Sequence, residues 1–174
     1  MTPPEIPDRK QWQRLHIPPW LSAFITLLVY GLGPWALSLL SIRHGWSAAR
    51  PGIVNLLGLI PVAAGAAGLF WIQRLHFTQP PGVKLALSQD YLLTQGPYAF
   101  TRHPMYLSEL VILLGWSLFY GSIPVLIAFF FAILLFNAVN LPLEERALET
   151  RFGEAYRQYK SLVPRWLGIP RTRV

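Results

Sequence analysis

Apolar residues along this chain come in long runs rather than in the alternating pattern of half-buried strands. Trp20 to Leu40, Pro51 to Gln73 and Ile123 to Leu143 contain no charged residue. As a helix each would be roughly 30 Å long, enough to cross the hydrocarbon core of a bilayer. A further run, Pro104 to Tyr120, carries one charge, Glu109, and leads through "YGSIP" straight into the last apolar run. Gly and Pro in so short a connection predict a tight helical hairpin between those two segments. The pattern therefore predicts an all-α membrane bundle of about four spans, organised as one domain over residues 1–174, with the first two spans within 20–75. Small residues in "PVAAGAAGLF" predict close helix contact on the second span, and Pro61 predicts a kink there.

Composition agrees with lipid as the solvent. The chain has 174 residues, 53% hydrophobic and 13% charged, more apolar surface than a core of that size hides. The first 19 residues are polar and proline-rich, without the apolar stretch and small-residue cleavage site of a signal peptide, and are expected to remain on the protein. The absence of cysteine excludes disulfides, thiolate ligands and a cysteine nucleophile, and no metal-ligand set is expected.

The net charge of +7 would suggest nucleic acid on a soluble chain, but the distribution points to a membrane. With four spans and both ends on one side, only Arg43 and Arg50 of the 15 Lys and Arg residues fall on the other side. The positive-inside rule thus predicts cytoplasmic termini and a cytoplasmic loop from Arg74 to His103. That loop is long, broken by Pro80, Pro81, Gly82, Gly96 and Pro97, and a loop of such length is expected to be functional or disordered.

Two polar groups stand out at the cytoplasmic ends. In "GPYAFTRHPMYLSEL", a helix starting at Pro104 puts Arg102 and His103 at its mouth, beside free backbone N–H groups, with Tyr106 and Glu109 on one face behind them. Headgroup contacts and an aromatic belt would explain part of this stripe. Glu109 within a span needs a cavity or a partner, and Arg102 is one candidate partner. Beyond the fourth span, Asn137 and Asn140 interrupt the apolar helix before Glu144 and Glu145. The hairpin should bring both glutamates towards Arg102, His103 and Tyr98. The rest of "LEERALETRFGEAYRQYK" also reads as a solvated helix laced with Glu–Arg pairs.

Taken together, "GPYAFTRHPMY", a helical hairpin and "EERALETRFGEAYRQYKSLVPRW" resemble the membrane methyltransferases that include isoprenylcysteine carboxyl methyltransferase and the small phospholipid N-methyltransferases. The resemblance spans about Asp90 to Trp166. It implies S-adenosylmethionine in a cytoplasm-facing pocket and a lipid-like or prenylated acceptor entering from the bilayer, with membrane lipids as surroundings and no nucleic-acid partner. Residue by residue it implies Leu92 and Leu93 on the adenosine side, Tyr98 closing the pocket, His103 and Tyr106 at the methionine part, and Glu144, with Glu145 beside it, at the ribose hydroxyls. Arg102, Glu109 and Asn140 are the catalytic candidates on the acceptor side. Where the prenylcysteine enzymes have an arginine, Asn140 offers no charge, so an amine or neutral acceptor is as compatible as a carboxylate. Ser108 stands where the family usually has glycine. Membrane sterol reductases, which bind NADPH, share a similar C-terminal region, and a non-enzymatic four-span protein is the third class compatible with the pattern.

Overall fold

A computed structural model describes residues 19–78 and 92–169. The polar N-terminal segment before Pro19, residues 79–91 of the long loop and the last five residues lie outside the described residues. Helix α1 (Pro19–Leu27) widens into a π turn (Leu28–Leu32) and continues as α2 (Gly33–Ser38). After a short antiparallel ribbon of β1 (Trp46–Ser47) and β2 (Arg50–Pro51) come α3 (Ile53–Leu56) and α4 (Leu59–Thr78). A 3-10 turn (Gly96–Ala99) precedes α5 (Pro104–Tyr120) and α6 (Ile123–Leu135). A second π turn (Phe136–Asn140) carries α6 into α7 (Leu141–Phe152), and α8 (Glu154–Leu162) comes last.

Prolines explain each irregularity in the long helices. A proline has no N–H for the carbonyl four residues earlier, so the ladder must shift around it. Before Pro34 the Gly33 N–H reaches back five residues to Leu28 O, and before Pro142 the Leu141 N–H does the same to Phe136 O. Before Pro61 the carbonyl of Leu57 is taken at 3.1 Å by Ile60, in a tight turn that separates α3 from α4. The expected kink of the second span is therefore a break just upstream of Pro61.

Two helices, Ile53–His76 and Ile123–Phe152, are long and apolar enough to cross a membrane. Only 22% and 17% of their most apolar windows are buried inside the protein, far less than in the core helix of a soluble domain. Phe70, Trp71, Phe130, Phe131 and Leu134 all face outwards. Phe24–Ser38 and Pro104–Tyr120 are shorter apolar helices. This is the surface of a helical membrane protein.

The tightest contact joins α4 to α5. A Cβ on Gly65 would stand 2.6 Å from Ser108 O and Ile112 Cγ1, and one on Gly115 would stand 2.7 Å from Val62 N. Ser108 fits because its hydroxyl lies over Gly68, where a Cβ would be 2.5 Å away. The predicted hairpin between α5 and α6 turns at Gly121, whose φ of +55° favours glycine. The ribbon is stapled over this turn: His44 N–H donates to Gly121 O at 3.0 Å, Trp46 Nε1 to Phe119 O at 2.9 Å, and Asn55 Nδ2 to Leu118 O at 3.1 Å. The ribbon and its flanking residues thereby tie the end of α2 to the α5–α6 turn.

Gly65→Val is expected to destabilise the fold by about 1–3 kcal/mol through overpacking against backbone. Gly33→Ala, whose Cβ would meet Leu28 O at an ordinary 3.5 Å, is expected to be near neutral. Denaturation of both variants in detergent micelles checks the difference; equal midpoints would contradict the close α4–α5 contact.

Candidate functional site

The start of α5, the start of α7 and the segment after α8 meet around one carboxylate. Arg102 N–H donates to Pro164 O at 3.1 Å and Gly168 N–H to Phe100 O at 3.2 Å, so the chain before α5 lies alongside the C-terminal segment. Thr101 ties the corner, its hydroxyl donating to Arg165 O at 3.0 Å and accepting from His103 N–H at 3.2 Å.

Glu145, only 4% exposed, sits inside this corner. Arg165 grips it with two bonds, Nε to Oε1 at 3.1 Å and Nη2 to Oε2 at 2.8 Å. Arg102 Nη1 approaches Oε1 at 3.0 Å, His103 Nε2 lies 3.2 Å from Oε1, and Lys160 Nζ lies 3.7 Å from Oε2. The hydrogen bond to Glu145 also holds Arg165 more strongly in its charged form. Tyr156, fully buried beside Arg102, has its hydroxyl pushed up to about 12, first by burial and then by the negative charge of Glu145.

Glu144 faces elsewhere. A carboxylate held by this many cations only accepts, so His103 Nε2 must carry the proton in that bond. The other ring nitrogen, Nδ1, faces Glu144. It lies 3.8 Å from Glu144 Oε2, and both atoms are buried with no hydrogen-bond partner among the described residues. Two buried polar atoms thus face each other without a hydrogen bond. The Tyr106 hydroxyl is within hydrogen-bonding reach of Glu144 and of Asn140, and its ring packs on Phe136 at 4.7 Å. The second π turn brings Asn140 to this place, while Asn137 donates to Ile133 O at 2.8 Å and accepts from Trp166 Nε1 at 3.1 Å.

The structure brings together Arg102, His103, Tyr106, Asn140, Glu144 and Glu145. Glu109 lies one turn deeper on the same face of α5. Its pairing with Arg102 does not occur, because Arg102 is engaged by Glu145; the Tyr30 hydroxyl stands within reach of Glu109 instead. Tyr98 also turns away from the two glutamates: its hydroxyl meets His76 Nε2 at 3.1 Å and its carbonyl accepts from Tyr159 at 2.8 Å. Leu93 is buried, and Leu92 packs against Tyr156, Tyr159 and Val163. Spacing and composition did not single out Arg165, Tyr156 or Tyr30. Arg165 stands after Pro164 beyond the end of a helix, and Tyr30 is the one tyrosine of an apolar run, just before Gly-Leu-Gly-Pro; those were the available signals.

Residues 57–155 match the sequence profile of the phospholipid methyltransferase family. The chain belongs to that family. An uncharacterised protein of Haemophilus influenzae is 44% identical over 63 residues, 36% of this chain and 100% of that protein. The protein-S-isoprenylcysteine O-methyltransferase of Schizosaccharomyces pombe is 34% identical over 84 residues, 48% of this chain and 35% of that enzyme. This chain therefore spans about a third of that enzyme's length. No solved structure matches at a significant level. The family match takes in α4 and stops within α8, leaving α1 and Arg165 outside it.

Glu145→Gln is expected to destabilise the protein by about 3 kcal/mol, because Arg102 and Arg165 would lose a buried counter-charge. Glu149→Gln, at a half-exposed carboxylate 3.6 Å from Lys160, is expected to cost well under about 1 kcal/mol. Chemical denaturation of the two variants compares them, and equal losses would contradict the central place of Glu145.

Proposed function

We propose that this protein is an S-adenosylmethionine-dependent membrane methyltransferase acting on a lipid-like acceptor, and that it crosses the membrane four times with both termini cytoplasmic. Family membership supports methyl transfer, and the uneven distribution of Lys and Arg supports the orientation. The observation that carries the cofactor reading is the facing pair of buried polar atoms without hydrogen bonds, His103 Nδ1 and Glu144 Oε2. A ligand with hydroxyl or ammonium donors satisfies both at once, and leaving them bare costs about 1–3 kcal/mol each. S-Adenosylmethionine carries both kinds of donor, so the residues present fit it.

When bound, the cofactor supplies an electrophilic methyl group on a sulfonium sulfur. Around it, His103 and Glu144 accept from its polar groups. Arg102, whose Nε is buried without a partner, donates to its carboxylate. Tyr106 offers an aromatic face to positive charge. Leu92 and Leu93 line the apolar side. Glu145 acts as a positioning residue, since its oxygens are already engaged by the side chains it orients.

Charge decides the acceptor chemistry. Glu109 has no cationic partner among the described residues, so the acceptor end of the site offers no positive charge to hold a carboxylate. Asn140 adds no positive charge. An amine-bearing amphiphile fits better, with Glu109 able to take a proton from its nitrogen and Asn140 able to hydrogen-bond it. Positioning and exclusion of water then carry most of the rate.

His103→Ala and Glu144→Ala are each expected to weaken S-adenosylmethionine binding by about ten- to a hundredfold, from the loss of a buried polar contact. Calorimetry on the purified protein, with NADPH in parallel, reads this directly. Parent-like affinity in both variants, or preference for NADPH, would overturn the assignment.

For topology, single cysteines introduced at Ser47 and Ser161 are expected to react with an impermeant maleimide from opposite sides of sealed vesicles. Labelling from one side would contradict four spans with cytoplasmic termini.

A further inference from the structure

The first span lies outside the region matched to the family, yet it reaches the polar stripe of α5. The cause is local. Pro34 cannot bond the carbonyl of Tyr30, and that freed oxygen accepts from Trp116 Nε1 at 2.7 Å. In lipid such a carbonyl must find a partner, so this bond sets the rotation and height of the first span against α5. Trp116 and Glu109 are seven residues apart and share one face of α5. Side chains lean towards the helix N-terminus, so Glu109 and Trp116 both reach back along α5 towards its polar mouth. The Tyr30 hydroxyl comes within hydrogen-bonding reach of the Glu109 carboxylate. One turn further lies Tyr106, and beyond it Glu144. The π turn at Leu28–Leu32 and the one at Phe136–Asn140 thus each bring one polar residue, Tyr30 and Asn140, to opposite ends of the same stripe.

We infer that Tyr30 is a positioning residue that aims the Glu109 carboxylate at the reacting atom of the acceptor, so that the first span supplies the acceptor end of the site. This rests on the methyl-transfer reading above. The chemical need is specific. A protonated amine cannot attack until its N–H bond breaks; the proton passes to a Glu109 oxygen, forming O–H, and the electron pair stays on nitrogen. A carboxylate free to rotate in an apolar span would meet that proton rarely. A Tyr30 hydroxyl that donates to one carboxylate oxygen restrains this rotation and leaves the other oxygen for the acceptor. Glu109 is faced by Tyr30 from the first span, by Tyr106 on α5 and by Glu144 from α7. Of these only Tyr30 is remote from the proposed cofactor groups.

Tyr30→Phe keeps the ring and removes the hydroxyl. Infrared spectra of the protein in micelles, with the Glu109 carboxylate band assigned by its loss in Glu109→Gln, are expected to show that band displaced in Tyr30→Phe. Turnover of an aminoethyl phospholipid in mixed micelles is expected to fall about tenfold in kcat, with unchanged calorimetric affinity for S-adenosylmethionine. An undisplaced band, or a displaced band with parent-like kcat, would overturn the inference. If the parent itself does not bind the cofactor, the methyl-transfer reading and this role fall together, whereas normal cofactor binding with unaltered kcat in Tyr30→Phe removes the Tyr30 role alone.

Discussion

Burying Glu145 in a corner between three chain segments costs desolvation energy that only close, well-directed cations offset. Arg165 supplies the directed pair of bonds, while Arg102, His103 and Lys160 add charge or donors at 3.0 to 3.7 Å. These groups come from the start of α5, from α8 and from the segment after it, so their attraction to one carboxylate closes the polar end of the bundle. The arrangement also orients the ring of His103. By accepting from Nε2–H, Glu145 leaves Nδ1 as the atom that faces Glu144. Two consecutive glutamates thus diverge in role, because neighbours on a helix point about 100° apart and only one of them can face the cations.

A bilayer-facing helix cannot leave a carbonyl bare, so each proline inside a long helix obliges the chain to find a local remedy. Before Pro61 the remedy is a tight turn. Before Pro34 and Pro142 it is a π turn, which adds a residue to the turn and rotates the helix beyond it. Both π turns hold the only hydrogen-bonding side chains of their stretches, Tyr30 in one and Asn137 with Asn140 in the other. Small residues on α4 complement this by letting α5 approach so closely that backbone meets backbone at Gly58 and Gly115. The scaffold therefore has little slack on the α4 side, and polar groups gather elsewhere on α5.

The helical character, the hairpin at Gly121 and the small-residue contact of α4 were legible in the sequence because each rests on local chemistry: apolar run length, a glycine close to a proline, and side-chain size. The approach of Arg102 and His103 to Glu144 and Glu145 was legible too, since a hairpin has few ways to arrange its ends. Other contacts depended on competition between partners, which spacing does not reveal. Arg102 was a candidate for Glu109, but a multiply engaged glutamate from α7 is a better counter-charge than a carboxylate deeper in α5. Tyr98 was expected beside the glutamates, but His76 and Tyr159 hold it. Arg165 and Tyr30 carried almost no sequence signal, since one stands beyond the last helix and the other is placed by a carbonyl freed four residues upstream of a proline.

Charge separation inside the site arises from the same competition. Because Glu145 draws Arg102, Lys160 and Arg165 towards itself, little positive charge remains for the stripe that runs from Glu144 through Tyr106 to Glu109. A polar stripe with two carboxylates and few cations stays folded in a bundle of apolar helices only if hydrogen-bond donors reach it. Tyr106, Asn140 and Tyr30 are such donors, spaced along its length. They satisfy part of the need and leave the His103–Glu144 gap open, so the end of the stripe nearest the polar mouth is the place where a donor from outside the chain would stabilise the protein most. A ligand bound there is linked to folding, and its affinity and the stability of the corner around Glu145 should rise and fall together.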